Sequence, residues 1–139
     1  MTGYLKVDIL DENNNVIEHR EGKNTIAINY ATVISLAMAN ISFINSLLLG
    51  SGSNITNPEN MISLEEEKYR IPIDLSKSSS VDGKINVNLI TEDSYNIKEI
   101  REFGLATEIN DKTILFNYKA FEKPLSGSGK ISLSWVIQL

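Results

Sequence analysis

Cysteine is absent from the sequence, which excludes disulfides and thiolate metal centres. Histidine occurs once, as His19, so a nucleophile–histidine–acid triad has a single position on which to be built. Flanked by Glu18 and Arg20 at a strand end, that side chain reads as a solvated surface residue. Charge is missing locally rather than globally: 22% of the chain is charged, yet residues 24–58 contain no Asp, Glu, Lys or Arg. A block of that length needs cover, from the chain's own sheet or from a neighbouring subunit. It is not expected to insert in a membrane, because Asn29, Thr32, Ser35, Asn40, Ser42, Asn45 and Ser46 interrupt it, whereas a span needs about 20 mostly apolar residues. Nor does Met1–Leu10 read as a signal peptide, since Lys6 and Asp8 stand where an apolar core belongs. Clustered cations are lacking too. With a net charge of -5 and scattered Lys and Arg, densest at Lys119–Lys123, no nucleic-acid partner is expected.

What is present suits one domain. At 139 residues the chain is long enough to bury about two-thirds of its unfolded surface without a staple. Leu5, Val7 and Ile9 alternate with Lys6 and Asp8, a half-buried strand, and Asp11–Asn15 supplies a turn from which Val16–Arg20 returns. Gly22 and Asn24 break that pattern. Ile26, Tyr30, Val33, Ile34, Ala37 and Ile41 then recur at helical spacing, with Thr25 as N-cap and Asn40 as terminator. The outer face of this helix, Asn29, Thr32, Ser35 and Ala39, is small and uncharged, a candidate assembly face.

Further strands are expected at Ile44–Leu49, at Tyr69–Leu75 as an edge or bulged strand because of Pro72, at Ile85–Leu89, at Ile97–Thr107, at Thr113–Tyr118 and at Ile131–Leu139. Gly50 and Gly52 permit a sharp exit from a buried strand, and Gly104 inside a strand indicates a bulge or a close backbone approach. The expected fold is mainly β, an antiparallel β-sandwich of about eight strands with one amphipathic helix packed against it. Residues 1–139 form one structural domain, divided into a hairpin (1–23), a helix (24–42) and sandwich strands (43–139).

Sites of chemistry fare poorly. Asp11-x-Asn13-x-Asn15 resembles the start of a calcium loop, but Val16 and Gly22 occupy the positions that need Gly and Glu. Gly50-x-Gly52 lacks the third glycine of a dinucleotide fingerprint and the Lys of a phosphate loop. Glu65–Glu67, Glu99 and Glu102 offer carboxylates without a marked cleft. Glu66 and Arg70, four apart, pair if that segment is helical. Trp135 with Phe103, Phe116, Tyr118 and Phe121 is either a sugar platform or core, and its place on the apolar face of the last strand favours core. No catalytic residue, metal or cofactor is expected.

The order of the motifs carries a resemblance. An asparagine-opened helix (Asn24-Thr-Ile26 to Ala39) leads to Leu48-Leu49-Gly50-Ser51-Gly52, then Leu64-Glu65-Glu66 with Tyr69-Arg70. After these come Glu102-Phe103-Gly104-Leu105, Lys123-Pro124 and the closing Trp135-Val136-Ile137. From residue 24 onward the chain resembles bacteriophage tail-fibre, tail-collar and baseplate-associated structural proteins. That resemblance implies a non-enzymatic virion subunit, made in the host cytoplasm, whose partners are other virion proteins and copies of itself. The alternative is a small sandwich that binds a receptor or a host-surface glycan through the loops Ser51–Asn60 and Ser76–Gly83.

Overall fold

A computed structural model of the chain describes residues 2–39, 43–52, 58–74 and 78–138. Asn40 as helix terminator, Ile41 of the expected helix face, Leu75, Leu139, the middle of the Ser51–Asn60 loop and the start of the Ser76–Gly83 loop lie outside the described residues.

Strands β1 (Thr2–Leu10) and β2 (Val16–Ile26) form the expected hairpin, but β2 runs on past Arg20 through Gly22 and Asn24, which pair with Leu5 and Gly3 instead of breaking the strand. Its turn is made by Asp11, whose carboxylate accepts the backbone N–H groups of Asn13 and Asn15 at 2.8 and 2.9 Å while Asn14 adopts φ 62°. Helix α1 (Tyr30–Met38) follows, then β3 (Ser46–Gly50), a single helical turn η1 (Pro58–Asn60) and β4 (Glu67–Pro72). The remainder is β5 (Ser79–Val81), β6 (Lys84–Ile90), β7 (Tyr95–Asn96), β8 (Glu102–Ile109), β9 (Lys112–Ala120) and β10 (Ser128–Gln138).

These strands form one antiparallel sheet in the order β4-β3-β8-β9-β2-β1-β10-β6-β5, with β7 pairing the start of β10. The sheet is continuous and curled, which replaces the expectation of two separate layers. Strand β2 makes the connection. Its residues 16–24 pair with β1, whereas Thr25 and Ile26 pair with Tyr118 and Asn117 of β9. The inner faces of the two halves close on one core, in which Leu5, Val7, Trp135 and Ile137 from one half meet Leu47, Leu49, Phe103 and Phe116 from the other.

Two further expectations are corrected. Thr25 does not cap the helix, because it is committed to the β2–β9 ladder; the helix begins at Tyr30, and Asn29 at its N-cap makes no side-chain capping bond. Residues 97–101 are not strand: Ile100 N–H closes a turn on the Ile97 carbonyl at 3.0 Å, and the strand starts at Glu102. The count rises from eight to ten through β5 and β7, which are too short to leave a periodic signal. Pro72 ends β4 on an outer edge of the sheet, where its missing N–H costs no ladder bond.

Candidate functional site

The residues of the motif order converge on one side chain. Glu102 opens β8 opposite Gly50 of β3 and is fully buried. Its Oε1 accepts the N–H groups of Glu66 and Gly52 at 2.8 and 3.2 Å; its Oε2 accepts the Tyr118 hydroxyl at 2.7 Å and the Glu65 N–H at 3.2 Å. Three of these donors are backbone amides, which can only donate, so both carboxylate oxygens act as acceptors. Gly52 and Glu65–Glu66 are the two ends of the segment that leaves β3 and returns as β4, and a single carboxylate ties both. Met61 and Leu64 of that segment cover Leu48, Ala106, Leu115 and Tyr118 on the outer face of β3, β8 and β9.

The glycines serve this arrangement by giving space. A Cβ on Gly50 would collide with the Glu102 carboxylate and the Glu66 carbonyl, and one on Gly52 with the Glu65 side chain. At Gly104 it would stand 2.8 Å from Leu115 Cδ1 and 3.2 Å from Leu64 Cδ2, the close approach expected of a glycine inside a strand. Neither Gly50 nor Gly52 has positive φ, so their contribution is room for the carboxylate rather than a turn.

Arg70 pairs with Glu67 at 2.9 Å and with Glu108 at 3.4 Å, and Glu66 pairs with Lys68 at 3.0 Å. The expected Glu66–Arg70 pair is absent because the segment is strand and turn, not helix. Glu99 lies in the turn before β8 with φ 78°. His19 sits between Asp8 and Glu21 on the outer face of the hairpin, with its ring nitrogens 2.5 and 3.1 Å from their carboxylates. The Asp8 bond, followed by the Glu21 bond, raises the His19 pKa.

The aromatic candidates are spoken for. Trp135, Phe103, Phe116 and Tyr118 are buried, and Trp135 Nε1 donates to Asn24 Oδ1 at 2.7 Å. They offer no platform to a sugar. The opposite holds for the helix: Asn29, Thr32, Ser35 and Ala39 are all exposed, and Val33 is the one helix residue fully buried. Beside them Ile28, Tyr30 and Met38 are also exposed, Met38 to 81%. The result is a surface with small polar groups, apolar bulk and no charge.

Sequence reasoning named Glu102 only as one carboxylate among several and missed its partner Tyr118. The available signal was a glutamate heading the otherwise uncharged run Phe103–Thr107, in a chain with two closely spaced glycines elsewhere. No helix among the described residues is long and apolar enough to cross a membrane. Comparison with family models, with curated proteins and with solved structures finds no match.

Proposed function

We propose that the chain is a non-enzymatic structural subunit that assembles with copies of itself and with other proteins of a phage particle, in a tail, collar or baseplate. The observation that carries this reading is the exposed, charge-free surface of the helix, Asn29, Thr32, Ser35 and Ala39 with Ile28, Tyr30 and Met38, in a chain that is 22% charged as a whole. Small side chains let a second backbone approach closely, and the exposed apolar groups beside them gain by leaving water. A nine-residue helix is about 13 Å long, so a stable contact of about 800 Å² per partner has to extend past it. The phage setting rests on the resemblance of the motif order. Further support is that the motif residues build a scaffold: Glu102 is saturated by donors of its own chain and has no acceptor capacity left over for a substrate.

Charge placed on the outer face tests the reading. Thr32→Glu with Ser35→Lys is expected to leave the circular dichroism unchanged and to reduce assemblies seen by light scattering to the 15.5 kDa monomer. A double variant that assembles like the parent, or a parent that stays monomeric at every concentration, overturns it.

A further inference from the structure

The two halves of the sheet differ in how their outer faces are treated. That of β3, β8 and β9 is roofed by Met61 and Leu64; that of β1, β10 and β6 has no such roof among the described residues. Register places Asp8, Ser132 and Ile90 in one cross-strand row and Lys6, Ser134 and Asn88 in the next. The middle strand of each row contributes a serine, far shorter than its neighbours, so the rows enclose a trough with Ser132 and Ser134 as its floor. Its walls, β1 and β6, stand two strand spacings apart, about 9.5 Å. The trough has a volume of about 280 Å³, just under the range of pockets that take drug-sized ligands.

Its chemistry is specific in kind. Lys6 donates, Asp8 accepts, and Asn88 and the two serine hydroxyls do both. Among the described residues, the side chains of Lys6, Asn88, Ser132 and Ser134 form no hydrogen bond or ion pair with the protein, although Lys6 stands opposite Glu21 across the hairpin and helps to lower its pKa, whereas Asp8 is oriented by His19. One cation and one anion flank the trough, so it favours neither sign of ligand charge. Ile90, 65% exposed, adds an apolar wall. A small ring that is neutral, carries several hydroxyls and has an apolar C–H face matches these groups together.

The geometry points to a binding site for a neutral monosaccharide ring in this trough, separate from the helix surface and from the buried aromatics. Hydroxyls of the ring pair with Lys6, Asp8, Asn88 and the serines, and its C–H face lies against Ile90. An open site that buries one side of one ring binds weakly, in the millimolar range, roughly 4 kcal/mol at 1 mM.

Amide NMR with glucose as the probe, and glucuronate as its anionic counterpart, tests this. Glucose up to about 50 mM is expected to shift the amides of Lys6, Asn88, Ser132 and Ser134 saturably, with glucuronate no tighter. Ser134→Tyr, which fills the floor, is expected to abolish the shifts with unchanged circular dichroism. Should that variant fail to fold, Asn88→Leu at the exposed wall takes its place and is expected to weaken binding about tenfold. Absence of saturable shifts, shifts that persist in the folded variant, or tighter binding of glucuronate overturns the proposal.

Discussion

A carboxylate withdrawn from water is tolerated only when its oxygens are fully engaged, and Glu102 meets that condition with donors from three segments of the chain. Glutamine at this position keeps the size but turns one acceptor into a donor facing a donor. Glu102→Gln is expected to lower stability by about 1–3 kcal/mol in chemical denaturation and to speed hydrogen exchange of the Glu65 and Glu66 amides. Unchanged exchange at those amides would show that the segment is held by Met61 and Leu64 alone. On the outer face, His19 makes stability depend on pH. Its pKa is raised by Asp8 and then Glu21, so its contribution is complete below its ordinary value of 6.5 and is lost as pH rises through the folded value. Glu21 is lowered by the Tyr4 hydroxyl and then by His19, so its contribution is complete above its ordinary value of 4.5 and is lost as pH falls through the folded value. Together they favour the window from about 4.5 to about 6.5. His19→Gln is expected to flatten the fall in denaturation midpoint as pH rises above about 6.5; a parent protein already flat there would contradict the assignment.

Among the elements, the helix shows what sequence patterns resolve and what they do not. Ile26, Tyr30, Val33 and Ile34 have helical spacing, and a helix does form there, but its first turn is lost because Thr25 and Ile26 are taken by β9. Periodicity reports which residues face inward and is blind to whether a ladder partner will claim the backbone first. The strands were more legible, since alternation and exposed face coincide in β1, β6 and β10. The turn before β8 was not: a glutamate at φ 78° carries no composition signal, because glycine or asparagine is the usual occupant. Glu99→Gly is therefore expected to stabilise the protein by about 0.5–1 kcal/mol, the relief of strain exceeding the added freedom of the unfolded chain. A midpoint that stays put or falls would mean that the Glu99 side chain contributes more than its backbone costs.

For the whole molecule, the binary pattern identified a mainly β chain with a buried and an exposed face to its strands, but not that two halves are joined through β2. No residue type marks the point at Thr25 where that strand exchanges β1 for β9. The carboxylate anchor was hidden for a related reason, since Gly50, Gly52, Glu65, Glu66 and Glu102 are brought together by the β3–β8 pairing and not by proximity in sequence. That same topology has a consequence in time. Strand β10, the last of the described strands, lies between β1 and β6 and pairs with β1 from Thr2–Gln138 to Leu10–Lys130. The N-terminal hairpin is therefore complete long before β10 and β9 have been synthesised, and waits with the edges of both β1 and β2 open. Closure has to span nearly the entire chain, which puts folding in the slow range of β domains, about milliseconds to seconds. During that wait the bare edge of β1, nine residues long, is open to wrong partners.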